Sequence, residues 1–186
     1  MSKRRYPLFL LLLILFGCVK EEMHNIVFSK SFLAATEHTQ ESFSKELKKD
    51  GLYEEVAHED DGSVVLVINS IQKEYWVNNC KDLLSQLNRK ISSVNKEYKV
   101  EISKDYDVFD FYFNLNLPER DARKYIKEAI IYGSMMQLLE ENAENMRQVI
   151  INIYNSDNDK LVTSGTGDTG VSYTKEDWKT SAKKES

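Results

Sequence analysis

The segment Asp107–Leu115 reads Asp-Val-Phe-Asp-Phe-Tyr-Phe-Asn-Leu, and its strict alternation leaves the chain few folds to choose from. Successive side chains of a β-strand point to opposite faces of a sheet. Phe109, Phe111, Phe113 and Leu115 therefore share one side, and Asp110, Tyr112 and Asn114 the other. Burying a large apolar side chain contributes roughly 1.5–3 kcal/mol, so the phenylalanine side demands an apolar cover. That cover is present in the sequence. Trp76, Val77, Cys80, Leu83, Leu84, Leu87, Ile91 and Val94 recur in steps of three and four, which predicts a helix over about Glu74–Val94 with one continuous apolar face. Pro118 opens a second helix running to about Leu139, at a position where a fixed φ and a missing N–H do no harm. Ala129 and Gly133 on its apolar face leave room for close approach to the sheet.

Four further stretches read as strands. Ser63–Asn69 is β-branched and bounded by turn residues, as in a buried strand. Glu97–Ser103 alternates with period two and meets the phenylalanine strand through a tight turn. Arg147–Tyr154 and Lys160–Ser164 flank the turn Asn155–Asp159 and should fold back on each other. The resulting order is strand, helix, strand, strand, helix, strand, with one extra hairpin strand. This is the βαββαβ order of the ferredoxin-like fold. The expectation is an α+β domain over 62–173, with one antiparallel sheet carrying two helices on one face if both crossovers are right-handed. Residues 18–61 are polar, with nine acidic residues between Glu37 and Asp61 against three lysines, and read as an acidic helical spacer, part of which can dock on the domain. A short helix carrying Trp178 and a polar tail fill 174–186, with Thr174 and Asp177 placed to cap that helix.

The first eighteen residues have their own pattern. Lys3, Arg4 and Arg5 precede an unbroken apolar run, Leu8–Phe16, and then Gly17-Cys18. Basic, apolar and small-residue zones in that order mark a secretory signal peptide, here 1–17. The run is far shorter than the roughly 20 apolar residues a spanning helix needs. Leu15-Phe16-Gly17-Cys18 resembles the lipobox of bacterial lipoproteins, in which leucine, a variable residue and glycine or alanine precede cysteine. The resemblance covers the signal peptide alone. It implies cleavage before Cys18, a diacylglycerol thioether on Cys18, and tethering to the extracytoplasmic face of the cell membrane. The physics suits that role, because each buried CH₂ contributes about 0.8 kcal/mol and two or more acyl chains hold durably.

Loss of Lys3, Arg4 and Arg5 leaves 22 basic residues against 30 acidic ones, a formal charge of −8. Such a chain lacks the clustered positive charge that nucleic acid demands, and it favours a basic partner. With Cys18 lipidated, Cys80 has no cysteine to pair with, and its place on an apolar helix face reads as a buried thiol. No cofactor or metal is expected. Gly165-Thr166-Gly167-Asp168-Thr169-Gly170 matches the dinucleotide fingerprint in letters, but lacks the following helix, strand and acidic residue that make it work. Asp168-Thr169-Gly170 spells the aspartic-protease triplet once, without its apolar flanks. Asn155, Asp157 and Asp159 have the spacing of calcium-loop ligands, but Lys160 and Thr166 stand where glycine and glutamate should. His24, His38 and His58 lie too far apart for a metal helix motif.

What remains is the other side of the phenylalanine strand. Asp110 and Tyr112, with Lys99 on the preceding strand and Tyr154 on the following one, form a surface of tyrosines among charges that suits protein recognition, or else an ordinary solvated face. The expectation is a non-catalytic, lipid-tethered module binding an envelope or surface protein. Two other readings are an immunity or exclusion lipoprotein that blocks an incoming toxin, phage or conjugation apparatus, and a small envelope enzyme or ligand binder. The anchor has a direct test. Cys18→Ala is expected to abolish incorporation of radiolabelled palmitate in growing cells, and labelling that survives the change excludes the assignment.

Overall fold

In the computed structural model, which describes residues 21–50, 52–140, 147–167 and 169–182, the chain forms two sheets bridged by long helices. The element order is β1 (Met23–Phe28), α1 (Lys30–Ala35), α2 (Gln40–Asp50), β2 (Glu55–His58), β3 (Val64–Asn69), α3 (Ser70–Val94), β4 (Lys99–Ile102), β5 (Val108–Phe113), α4 (Glu119–Glu140), β6 (Ile150–Asn155), β7 (Lys160–Thr166) and α5 (Lys175–Ala182). One sheet is antiparallel with strand order β1-β3-β2; the other is mixed, with order β4-β5-β6-β7. The α+β class stands. Among the described helices none is long and apolar enough to cross a membrane.

The single ferredoxin-like sheet is corrected. In that arrangement the strand at 64–69 would lie in the same sheet as β5. Here both edges of β3 are already used. Met23–Phe28 pairs with it along one side, Ile26 opposite Leu66, and Glu55–His58 along the other, Val56 opposite Leu66. β3 has no free edge left, so α3 carries the chain to a second sheet. At 25 residues, α3 spans about 37 Å. It starts with no intervening loop, because Asn69 is its N-cap. The Asn69 side chain accepts from Gln72 N–H, and the Gln72 side chain accepts from Asn69 N–H, both at 2.9 Å. This capping box moves the helix start forward from Glu74 to Ser70.

The spacer is corrected with it. Residues 23–58 contain two strands as well as two helices, and Ile26, Phe28, Phe32, Leu33, Phe43 and Leu47 are buried in the common core. Phe28, Phe32 and Phe43 form an aromatic triangle with centroids 4.8–5.7 Å apart. Of the described residues, Glu21 and Glu22 precede the first element.

The second sheet follows the alternation of its strands. Phe109, Phe111 and Phe113 of β5 are all at most 1% exposed, as are Ile151 and Ile153 of β6. They pack beneath α3 and α4 with Trp76, Leu84, Leu87, Ile91, Ile126 and Met136. α4 is the crossover between β5 and β6, which pair in parallel. At its end Gln137, itself buried, donates to Tyr106 O at 3.1 Å and accepts from Arg147 N–H at 2.7 Å, fixing the β4–β5 turn to the start of β6. Arg147 also bridges Asp105 and Asp107, while Ser103 donates to Asp107 at 2.6 Å. The Ser103 hydroxyl and then the Arg147 guanidinium hold the Asp107 carboxyl below the usual carboxylate range. α5 closes one end. Thr174 and Asp177 cap each other reciprocally, and Trp178 is buried against Phe113 and Tyr173.

Close approach of α4 to β5 rests on a missing side chain. A Cβ on Gly133 would stand 2.6 Å and 2.8 Å from the Phe109 ring and 3.0 Å from Tyr106 O. Alanine would otherwise gain about 1 kcal/mol of helix propensity at such a site. Gly133→Ala is therefore expected to lose roughly 1–3 kcal/mol by overpacking, seen as a lower urea midpoint. A stabilised variant would show that α4 and β5 do not meet here.

Candidate functional site

Turning Phe109, Phe111 and Phe113 into the core turns Asp110 and Tyr112 outward, and the strand registers then build ordered rows across the sheet. Lys99 pairs with Tyr112, Tyr112 with Tyr154, and Tyr154 with Leu161 across a bulge in β7. In the next row Glu101 pairs with Asp110, Asp110 with Asn152, and Asn152 with Ser164. Val108, Ile150 and Thr166 make a third. The four residues that the sequence singles out, Lys99, Asp110, Tyr112 and Tyr154, thus lie side by side on one face.

The first row is a stack. The Tyr112 and Tyr154 rings are 4.9 Å apart and nearly parallel, at 14°. The Lys99 ammonium sits 4.3 Å from the Tyr112 centroid, so that ring is sandwiched between a cation and a second ring. Leu161, half exposed, extends the row toward the sheet edge. The second row is a hydrogen-bonded chain. Ser164 donates to Asn152 at 2.6 Å and Asn152 donates to Asp110 at 2.8 Å. Lys99 donates to Glu101. Burial first, and then the Glu101 and Asp110 carboxylates, push the Tyr112 phenol above its ordinary value; burial, Asp110 and Glu101 do the same for Tyr154. Both phenols are therefore neutral donors at neutral pH. The hydrogen bond to Glu101 raises the Lys99 ammonium, and Asp159 on the β6–β7 turn adds to it.

The other residues weighed in the sequence are dispersed. Cys18 and Asp168 lie outside the described residues. Cys80 is buried and in no disulfide. Among the described residues no group of three or more His, Cys, Asp or Glu side chains is placed to hold a metal ion. Asn155 and Asn158 accept backbone N–H groups within the 155–160 turn, Asn114 donates to Asp157, and Asp159 takes a positive φ of 57°. These are the bonds of a hairpin turn. After β7 the glycine segment folds straight back. Gly170 N–H bonds to Thr166 O at 2.8 Å, and a Cβ on Gly165 would stand 2.4 Å from Gly170 O. Among the described residues no helix opens between Thr166 and Lys175.

One pair was not legible in the sequence. His58 Nε2 lies 2.7 Å from the Ser44 hydroxyl, a serine–histidine contact between α2 and β2 separated by fourteen residues. No motif spacing encodes it, because it depends on how α2 lies against the β2–β3 hairpin. The same seam is stitched by Gln40, which donates to Glu59 O at 3.0 Å and Ser63 O at 2.8 Å. Ser44 is only 4% exposed and sits in the middle of a helix. A nucleophile must present its oxygen to substrate beside oxyanion donors, and a buried hydroxyl on a helix does neither. The pair fastens two elements. No family model, no curated protein and no solved structure matches this chain.

Ser44→Ala is accordingly expected to lower stability by about 1 kcal/mol, the usual net value of one hydrogen bond. Wild type and variant alike should leave a fluorophosphonate probe unreacted. Labelling of the wild type that disappears in Ser44→Ala would instead reveal an activated serine.

Proposed function

We propose that the chain is a lipid-anchored, extracytoplasmic, non-catalytic module that binds an envelope or surface protein through the open face of the four-stranded sheet. The observation that carries this reading is the row Lys99–Tyr112–Tyr154–Leu161, in which two stacked tyrosines and an exposed leucine are presented on a rigid sheet. Tyrosine supplies large contact area with few rotamers to freeze, and aromatic residues are enriched in interface cores. The stack and the Ser164–Asn152–Asp110 chain hold these side chains in place before a partner arrives, which lowers the ordering cost of binding.

Charge points to the kind of partner. Lys99 is ion-paired with Glu101, and Asp110, which accepts from Asn152, has no ion-pair partner among the described residues; Asp157 and Asp159 lie on the adjoining turn. With the acidic excess of the whole chain, this favours a partner with a basic surface. The anchor sets the height. From Cys18 to Met23 the chain advances five residues, at most about 17 Å when extended. A domain held that close to the bilayer suits a partner that is itself embedded in the envelope or docked near its surface.

Photo-crosslinking in intact cells tests the reading. A benzoylphenylalanine at Leu161 is expected to capture one envelope protein, whereas the same group at Ile71, which is 74% exposed at the start of α3, should not. Adding Tyr112→Asp and Tyr154→Asp to the Leu161 probe should abolish capture, with the far-UV spectrum unchanged. Equal capture from both positions, or capture that survives the double change, overturns the sheet face as the binding surface.

A further inference from the structure

On the helical side of the molecule, away from the rows of the second sheet, α2 stands apart from α3 and α4 and leaves a cleft of about 340 Å³ between them. An open space of this size between three helices is large enough to admit a small molecule. Its walls are Phe43 and Leu47 from α2, Trp76 and Cys80 from α3, and Ile131 and Met135 from α4. All but Ile131 are under 9% exposed, so the space is walled by core residues. Pockets for small molecules have this character, an apolar interior of about 300–1,000 Å³ with a few polar groups at the rim.

We propose that this cleft binds a small aromatic anion. Shape and chemistry of the walls select the body of the ligand. A dry cavity of about 150 Å³ takes one benzene ring, so a cleft of 340 Å³ takes two fused rings. The Trp76 and Phe43 rings offer offset or edge contacts, and the sulfurs of Cys80 and Met135 add the favourable sulfur–aromatic contact. The Trp76 N–H is already used, donating to Leu52 O at 2.7 Å, so this indole offers its ring and not a donor.

The rim selects the charge. His38, Glu46, Lys49 and Asn79 line it. The Glu46 carboxylate faces His38, with Oε2 3.4 Å from His38 Nε2. Lys49 is exposed and, among the described residues, has no ion-pair partner. A ligand carboxylate or sulfonate at the mouth would meet the Lys49 ammonium while its rings occupy the apolar floor, and the Asn79 amide can add a further hydrogen bond.

The two tryptophans make the test internally controlled, since Trp76 lines this cleft and Trp178 lies buried against Phe113 at the other end of the sheet. The full chain in detergent is titrated with naphthalene-1-sulfonate and, separately, with neutral 1-naphthalenemethanol, and the two indole N–H signals are followed by NMR. Saturable shifts of Trp76 without shifts of Trp178 are expected for both probes, with the sulfonate tighter. Lys49→Gln should weaken the sulfonate roughly 10- to 100-fold, the range for losing a hydrogen bond to a charged group, and leave the neutral probe unchanged. Asn79→Phe, or Leu83→Phe as a second filler from the half-buried rim, should remove binding of both. Absence of a saturable Trp76 shift, or a shift that survives both fillers, overturns the site. Loss of binding in the fillers combined with indifference to Lys49→Gln overturns the anionic specificity.

Discussion

The two-facedness of β5 is the constraint on which the rest of the molecule depends. Its inward side must be covered, and α3 and α4 lie over Phe109, Phe111 and Phe113 so closely that a Cβ on Gly133 would stand 2.6 Å from the Phe109 ring. Because the period of a strand is two, committing those three residues to the core commits Asp110 and Tyr112 to the outside. Neighbouring strands then pair in register with β5, so their outward side chains fall into line with its own. The core and the candidate binding face are consequences of one sequence pattern.

The second sheet and its two helices were legible in the sequence because their patterns are long and local. Apolar positions at helical spacing over Trp76–Ile91, or three alternating phenylalanines over Phe109–Phe113, leave little choice of element or face, whereas Val94 and Leu115, which continue the two patterns, are half exposed, and Leu115 lies beyond the end of β5. Partnership between strands is another matter. Ser63–Asn69 reads correctly as a buried strand, but an apolar run reports burial and says nothing of its neighbours. Its partners are Met23–Phe28, a six-residue strand with His24 and Asn25 within it, and Glu55–His58, four residues inside an acidic stretch. Both are short and polar enough to pass for spacer, and only pairing with β3 makes them strands. The ferredoxin-like order failed at that point, since it assigned β3 a place beside β5 when both of its edges were taken by segments with weak signals of their own.

The candidate site divides along the same line. Lys99, Asp110, Tyr112 and Tyr154 could be placed on one face from phase alone, but the direct pairing of β6 with β5 could not, because the ferredoxin-like order sets the 63–69 strand between them. The parallel tyrosine stack could not, since ring orientation depends on packing that no periodicity records. The Ser44–His58 contact and the helical cleft were equally hidden. Both arise from where α2 sits, and α2 belongs to the segment whose docking the sequence left open.

The polar groups of the sheet face are partnered mainly with one another. A general acid or base needs a proton exchangeable with substrate near working pH, and a pKa moved toward that pH. Tyr112 and Tyr154 move the other way, held neutral by burial and by Glu101 and Asp110. Asp110 accepts from Asn152, Asn152 accepts from Ser164, and Glu101 holds Lys99. Groups satisfied among themselves are poorly placed to exchange protons with a substrate. They are well placed to keep a surface in one shape, and a surface of fixed shape gives up less entropy when a partner settles on it. The internal hydrogen bonding of this face therefore supports the proposed interface by holding its side chains in one arrangement.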